Sequence, residues 1–208
     1  MSATAHAQSG LPPEVLNLSK IRRQATAVVT QAPDYACLET VERYARENPK
    51  SKWRQLDTLL LEVGMIGGKE IYAWPGSESF DDVAPGEIVS SGTVSSGEFV
   101  QLLRAVFVGG TAVIRWHGEE LVNGRRALRY DYTLPLYGYR SRVTLAASAG
   151  DVSLKGAFWA DAETFEMLRL ESESDGIPPA LPLAWMRSRI DYGRMTVHGK
   201  QVWFPQSA

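Results

Sequence analysis

The first periodic segment of the chain begins at the double proline of positions 12 and 13. Its apolar residues recur every three or four positions: Val15, Leu18, Ile21, Ala25 and Val28. This spacing places them along one side of an α-helix. Pro13 suits the first helical turn, where a missing backbone N–H breaks no hydrogen bond. We therefore predict an N-terminal amphipathic helix that ends near Pro33.

From Tyr35 the apolar period shortens to two. The segment YACLETVERYARE alternates, and WRQLDTLLLEVGMIGGKEIYAWPG contains two further apolar-rich runs. These runs predict strands over residues 56–63 and 69–74, joined by a turn at Gly67 and Gly68. Because successive side chains of a strand point to opposite faces, Leu59, Leu61 and Val63 are predicted to share one face.

A long polar stretch and a second helical pattern follow. Residues 76–97 are rich in serine, glycine and acidic residues, which predicts a long exposed loop. The segment GEFVQLLRAVFVGG then places Phe99, Leu102, Leu103 and Val106 on one side of a short helix. The two glycines at its end are typical of a helix C-terminus.

The rest of the chain is predicted to be mostly β. Two strands flank Asn123-Gly124, a strong hairpin signal, and in the second of them apolar residues at 128, 130, 132 and 134 alternate with more polar ones. Further strands are predicted over residues 141–147, 152–159, 165–172, 186–192 and 201–204. A turn over residues 161–164 joins two of them. In the strand after this turn, Leu168 and Leu170 are expected on one face, with Arg169 and Glu171 on the other.

This order of elements predicts an α+β fold. Eight or more antiparallel strands with two isolated helices do not fit a βαβ pattern. We expect a large curved antiparallel sheet, a half-open β-barrel, whose concave side is covered by the N-terminal helix and the short mid-chain helix. Residues 11–208 are expected to form this single domain, and residues 1–10 to be a disordered tail or the remnant of a signal peptide.

Charge and composition narrow the function classes. The formal net charge is -2, and the 22 Lys and Arg residues are scattered, which argues against nucleic-acid binding. The longest apolar runs are broken by Glu62, Arg104 or Arg115, so no bilayer span is predicted. We expect membrane contact to be peripheral at most. The single Cys37 excludes an internal disulfide and is expected to be a small buried core residue.

The N-terminus carries a sign of export. In MSATAHAQSG, the A-H-A before Gln8 has the small-x-small pattern found to the left of a signal-peptidase cleavage site. The apolar segment that normally precedes such a site is missing from this sequence. We expect a periplasmic or secreted protein.

Polar residues predict no catalytic or metal site and no cofactor. His6, His117 and His198 lack metal-ligand spacing. His117 with Glu119 and Glu120 could in principle bind a metal, but these residues are better interpreted as part of the surface. The segment SSGTVSSGE lacks the G-x-S-x-G pattern of a serine nucleophile. The acidic residues at 78, 81, 82 and 87 are interpreted as a solvated loop. For want of a paired acid, base or nucleophile, we do not expect an enzyme.

The aromatic and aliphatic residues of the predicted strands favour binding. Concave apolar pockets are built from such side chains, and a buried methylene contributes about 0.8 kcal/mol. The side chains expected to line a ligand cavity are the following: Leu59, Leu61, Trp74, Leu102, Val106, Trp116, Tyr130, Tyr132, Phe158, Leu168 and Leu170. Alternatively, the same residues fill a closed core.

One segment resembles a known family. GAFWADAETFEMLRLE is similar to the strand-turn-strand pattern W-x-D-x-x-T-x-x-x-x-R-L-E of periplasmic lipoprotein carriers, the LolA/LolB-like superfamily, which also contains an anti-sigma-factor regulator. CLETVERY and GGKEIYAWPG further resemble exported proteins of acidobacterial type. The resemblance implies a half-open barrel with an apolar cavity, which holds acyl chains in the carriers.

Two functions are therefore open. The first is a non-enzymatic exported protein that binds an apolar ligand, such as a lipid or acyl chain, or a lipidated partner protein in a β cavity. The alternative is a protein-interaction or envelope-sensor domain that uses the same scaffold without a ligand. The sequence does not identify the ligand, the partner or the oligomeric state.

Overall fold

The computed structural model describes residues 10–31, 34–46, 50–66, 69–80, 99–145, 148–197 and 200–207. Several predicted features lie outside these residues: the tail up to residue 9, the Gly67-Gly68 turn, positions 81–97 of the predicted loop, His6 and His198. The chain divides into two compact units, each described here by itself. Unit 1 combines residues 1–31 with 99–208, and unit 2 is formed by residues 32–98.

The described residues form two helices and eleven strands. They are α1 (Pro13–Gln31), β1 (Tyr35–Ala45), β2 (Arg54–Ile66), β3 (Lys69–Ala73), α2 (Phe99–Phe107), β4 (Val113–Val122), β5 (Arg125–Leu134), β6 (Ser141–Leu145), β7 (Ser148–Val152), β8 (Leu154–Asp161), β9 (Met167–Ser174), β10 (Arg187–Val197) and β11 (Lys200–Ser207). The predicted α+β class, with a large antiparallel sheet and two helices, is confirmed. The large sheet is not closed into a barrel.

Unit 1 is built on a six-stranded antiparallel sheet with the order β11-β10-β9-β8-β5-β4. Strands that follow one another along the chain are paired as neighbours, except where the separate β6-β7 hairpin is inserted between β5 and β8. This order is a consequence of short connections, since each short turn returns the chain beside the strand it has just left.

One face of the six-stranded sheet carries the core of unit 1. The predicted alternation of β5 is confirmed, because Leu128, Tyr130, Tyr132 and Leu134 are all buried. The ring of Tyr130 stacks on Phe158, its cross-strand partner in β8, with 5.2 Å between ring centroids. The buried sides of α1 and α2 complete this core. We call the side of the sheet that packs against these helices the helix face.

The Asn123-Gly124 hairpin is confirmed, and its backbone explains the two residue types. Both residues have positive φ, 51° at Asn123 and 78° at Gly124. A two-residue turn with this geometry matches the twist of the strands that it joins, and asparagine and glycine adopt it at low cost. The turn fixes the register of β4 against β5.

The predicted turn over residues 161–164 is confirmed as the link between β8 and β9. Asp161 Oδ1 accepts backbone N–H groups from Glu163 at 2.9 Å and from Thr164 at 2.8 Å. Arg125 Nη2 lies 2.7 Å from Asp161 Oδ2. Burial raises the pKa of Asp161, but these donors outweigh it and hold the pKa below its usual value of 3.8.

Two sequence expectations about strands are wrong. A bulge between Trp159 and Ala160 shifts the β8-β9 register, so Leu168 packs against Trp159 while Leu170 is paired with Phe158 on the helix face. The two leucines therefore do not share a face, because a bulge interrupts the alternation of side chains. The predicted strand over residues 152–159 is also interrupted, since Ser153 separates β7 from β8.

Unit 2 is a three-stranded antiparallel sheet with the order β1-β2-β3. Most residues of the central strand β2 have a defined partner, as in the pairs Val63 with Cys37 and Val63 with Tyr72, whereas a register shift against β1 leaves Leu56 unpaired. Near the β1-β2 turn, Arg43 makes a two-point ion pair with Asp57, with a 2.6 Å hydrogen bond from Arg43 Nε to Asp57 Oδ1. The described residues of this unit contain no helix.

Candidate functional site

The central strand of unit 2 is apolar on both of its faces. Residues 59, 61, 63 and 65 of β2 share one face by alternation, and residues 60, 62, 64 and 66 share the other. Near the start of the strand the register against β1 shifts between Arg43 and Tyr44 and leaves Leu56 without a strand partner, so the alternation is interrupted there. On the first face Leu61, Val63 and Tyr72 form a buried cluster with Val41 and Leu59 packed against it. We call this the buried face of unit 2. A strand that is apolar on both faces is typical of strands covered on both sides.

The second face of unit 2 exposes its large apolar side chains. The exposed fraction is 63% at Leu38, 48% at Tyr44, 44% at Leu60 and 52% at Ile66. The pairs Leu38 with Glu62 and Thr40 with Leu60 make Leu38 and Leu60 diagonal neighbours across β1 and β2, which is within reach of side-chain contact. We call this surface the apolar face.

Two acidic side chains of the apolar face form hydrogen bonds with neighbouring groups. Glu62 Oε1 accepts the backbone N–H of Gly76 at 3.1 Å, at the turn that follows β3. Glu42 Oε2 accepts the hydroxyl of Tyr44 at 2.8 Å. Beyond Glu62, Gly64 lies below Ile71 and Phe80, whose side-chain atoms would stand 3.0 to 3.4 Å from a Cβ atom at this position. The face therefore combines its apolar side chains with the polar residues Thr40, Glu42, Thr58 and Glu62.

Six of the predicted cavity-lining residues lie in the core of unit 1. Leu102, Val106, Tyr130, Tyr132, Phe158 and Leu170 are all 2% exposed or less. Phe107 meets Phe158 edge-on at 4.8 Å between ring centroids. Tyr130 donates its hydroxyl to the backbone carbonyl of Glu14 at 2.6 Å, which ties β5 to α1, and burial raises its pKa to about 12. These side chains fill the space between the sheet and the helices.

A small cleft remains at the edge of this core. It has a volume of about 50 Å³ and is lined mainly by Ala25, Val28, Leu103, Met167, Tyr192 and Trp203. An apolar cavity that binds benzene measures about 150 Å³. An acyl chain therefore does not fit the cleft with α1 in this position. None of the predicted lining residues contributes to it.

The other five predicted residues are dispersed. Leu59 and Leu61 lie on the buried face of unit 2, and Leu168 lies on the face of the unit 1 sheet opposite the helices. Trp74 is 52% exposed, just after β3. Trp116 is 40% exposed on the edge strand β4, and its ring meets its cross-strand partner Tyr130 edge-on, with 4.9 Å between ring centroids. Trp116 therefore lies at the margin of the unit 1 core, where an edge strand leaves one side of a large ring uncovered.

The sheet of unit 1 has a second, polar groove on the face opposite the helices. Its volume is about 480 Å³, and its lining includes Arg129, Thr133, Lys155, Trp159, Glu173 and Arg187. Arg129 pairs with Glu120 at 2.7 Å, and Trp159 Nε1 donates to the same carboxylate at 2.8 Å. These two hydrogen bonds hold the pKa of Glu120 below its usual value, and the bond from Trp159 has the larger effect. We call this surface the polar groove.

The described histidine and cysteine side chains, His117 and Cys37, both lie at exposed positions. His117 is exposed and its Nδ1 lies 2.8 Å from Asp131 Oδ2, in agreement with the surface position predicted for it. The described residues contain no cluster of three or more potential metal ligands. Cys37, expected to be buried, is exposed because it lies on the edge strand β1. Neither described helix is apolar over a length sufficient to cross a bilayer.

Sequence reasoning missed the four residues that define the apolar face. It selected Leu59 and Leu61 by alternation and left Leu60 as their outward-facing neighbour. The run LLLEVGMI contained the signal, because continuous apolar runs indicate a strand that is buried on both faces. Leu38 and Ile66 carry weaker signals, since each stands among polar residues or glycine. No protein-family model and no curated protein matches the chain.

Proposed function

We propose that the protein is a non-enzymatic, exported binding protein that takes an apolar ligand, the acyl chain of a lipid or of a lipidated partner, on the apolar face of unit 2. The observation that carries this proposal is the exposure of Leu38, Tyr44, Leu60 and Ile66 on one side of a sheet whose other side is buried. Exposed apolar side chains that lie beside one another, as Leu38 and Leu60 do, mark interaction sites in folded proteins.

The size of the hydrophobic term favours a ligand of acyl type. Covering a fully exposed leucine contributes about 1.5 to 3 kcal/mol, and each methylene of the ligand about 0.8 kcal/mol. Four side chains that are roughly half exposed and a chain of about ten carbons together offset an association cost of about 4 to 15 kcal/mol. The expected affinity is about micromolar and needs no ion pair.

The test is the uptake of a fluorescent fatty acid by the full chain. Replacing Leu38 and Leu60 together by threonine puts β-branched strand formers on the face and removes about 2 kcal/mol of ligand contact. We expect the dissociation constant to rise about thirtyfold. The matched control is Leu121→Thr on β4, which replaces an equally apolar side chain that is 72% exposed in unit 1. Equal uptake by the double variant and the control contradicts the proposal.

Native mass spectrometry after mild purification gives a second readout. The proposal predicts a bound lipid on the wild-type chain and its loss from the Leu38→Thr/Leu60→Thr variant. A clean apo mass together with no uptake of the fluorescent fatty acid would overturn the function altogether.

A second candidate function, the protein-interaction scaffold, is favoured by the polar groove. Its volume of about 480 Å³ and its lining by Trp159 and both signs of charge suit an extended polypeptide segment. A photo-crosslinking amino acid at Thr133, inside the groove, is expected to give one discrete protein adduct that is lost with Arg187→Glu. The same probe at Gln101, an exposed residue of α2, should give none. Identical adducts at both positions contradict this candidate.

A further inference from the structure

The strand β4 forms one edge of the six-stranded sheet of unit 1. Among the described residues it is paired with β5 alone. An edge strand presents a row of backbone N–H and C=O groups that can pair with a further strand. The opposite edge, β11, contains Pro205, which has no N–H to donate. Since β4 contains no proline, it is the edge of this sheet better suited to accept another strand.

A bulge divides β4 into two halves with opposite alternation of side chains. The register of β4 against β5 shifts between Trp116 and Gly118, which leaves His117 as the extra residue. Before the bulge the odd-numbered positions, including Arg115, lie on the face opposite the helices. After the bulge the even-numbered positions, including Glu120, lie there. A partner strand with unbroken alternation therefore matches the faces of only one half of β4.

A second copy of β4 matches both halves in the antiparallel register that pairs the whole strand. When the two-fold axis passes between His117 and Gly118, each residue before the bulge stands opposite one after it, on the same face of the sheet. The pairs are Val113 with Val122, Ile114 with Leu121, Arg115 with Glu120, and Trp116 with Glu119. The two-fold symmetry makes each pair occur twice.

The paired side chains are complementary in charge and polarity. Arg115 is exposed, and no ion pair joins it to a carboxylate within the described residues. Two hydrogen bonds within the chain use the Glu120 carboxylate, whose two oxygens together offer about four acceptor sites. The pair of Ile114 with Leu121 covers an apolar side chain that is 72% exposed at Leu121. The bulge and the charges that disfavour an arbitrary strand at this edge therefore fit a second copy of the same strand.

We propose that two copies of the chain associate through β4 in this register, so that their six-stranded sheets form one continuous antiparallel sheet. Backbone hydrogen bonds between the two strands supply the attraction, and the two pairs of Arg115 with Glu120 fix the register. A single pair of strands is a small interface, so the dimer is reversible, with an expected dissociation constant of about 10 µM. This surface belongs to unit 1 and does not depend on the ligand proposed for unit 2.

Sedimentation velocity of the full chain over a range of concentrations tests the association. The sedimentation coefficient should rise with concentration towards that of a dimer. Arg115→Glu places like charges opposite each other at two symmetric positions and should raise the dissociation constant about thirtyfold. Arg23→Glu, the same change of charge at an exposed position of α1, should leave it unchanged. A monomer at every concentration, or equal association of both variants, overturns the proposal.

Mixed variants test the register itself. Chains with Arg115→Glu and chains with Glu120→Arg should each associate weakly alone and associate again when mixed, because only the mixed dimer pairs opposite charges. In a Cys37→Ser background, Ile114→Cys mixed with Leu121→Cys should give an intermolecular disulfide, since directly opposed residues have Cα atoms about 5.5 Å apart.

The single cysteine variants are the matched control for the disulfide. Two Ile114→Cys chains place their cysteines about 24 Å apart along the strands and should give no disulfide. Equal cross-linking in the single variants and in the mixture, or no recovery of association on mixing the charge variants, contradicts this register and with it the proposed interface.

Discussion

A single side chain, Asp161, holds the turn between β8 and β9 of unit 1 by hydrogen bonds to the backbone. The Asp161 carboxylate accepts two backbone N–H groups and an ion pair while 6% exposed. Removal of a buried acceptor with several donors costs more than one exposed hydrogen bond, because the donors lose their partner without regaining water. The turn between β8 and β9 therefore depends on one side chain.

Replacement of Asp161 by alanine is expected to lower the free energy of unfolding by about 2 to 3 kcal/mol near neutral pH. The folded pKa of Asp161 is depressed below 3.8, so its contribution is present above that value and is lost as pH falls through the folded pKa. Urea denaturation from neutral to acid pH should show the gap between wild type and variant narrowing below pH 3.8. A gap that is constant across this range contradicts the ionic part of the account.

Gly156 shows a second constraint at the residue scale. A Cβ atom at this position would stand 1.9 Å from the backbone oxygen of Glu171. Tyr132, the cross-strand partner of Gly156, donates its hydroxyl to the same oxygen of Glu171 at 2.9 Å. We infer that glycine is needed here because β8 and β9 approach closely under the tyrosine ring.

Gly156→Ala should therefore destabilise the chain by several kcal/mol or prevent folding, since the clash is with backbone that cannot rotate away. Gly10→Ala is the matched control, because a Cβ at Gly10 meets no atom within 4 Å. Thermal unfolding followed by circular dichroism compares the two. Equal midpoints for both variants would show that the strands separate without cost.

At the scale of the element, two adjacent leucines of β2 lie on opposite faces and differ in exposure. Leu61 is 3% exposed and Leu60 is 44% exposed. Leu61→Ala is expected to cost about 2 to 5 kcal/mol through lost burial and a cavity, whereas Leu60→Ala should cost about 0.5 kcal/mol or less. Chemical denaturation of the full chain measures both. Equal losses would mean that the apolar face is covered and would remove the site proposed for the ligand.

The sequence predicted elements better than it predicted the site. Alternation placed Tyr130 and Tyr132 on the covered face of β5, and the Asn123-Gly124 signal located a hairpin, because both depend on local geometry. The same alternation failed at Leu168, where a bulge that has no sequence signature shifts the register. It also did not predict the exposure of Trp74 and Trp116, because position at a turn or at a sheet edge is decided by the order of strands and not by local pattern.

At the scale of the whole molecule, the expected ligand cavity and the packed core compete for the same residues. In unit 1 these residues form a packed core, since six predicted lining residues bury one another and leave a cleft of about 50 Å³. The resemblance to the lipoprotein carriers therefore stays a prediction, as does export. The apolar face of unit 2 gives the proposed ligand a place that does not require this core to open.

The measurement that tests the account most directly follows the leucine and isoleucine methyl signals of the full chain by NMR during titration with a fatty acid of about ten carbons. The account predicts saturable shifts at Leu38, Leu60 and Ile66, with Leu128, Leu134 and Leu170 of the unit 1 core unmoved. Shifts confined to those core leucines, or to Leu103 beside the small cleft, would place the ligand between the helices and the sheet and contradict the assignment to unit 2. Absence of any saturable shift would contradict ligand binding itself.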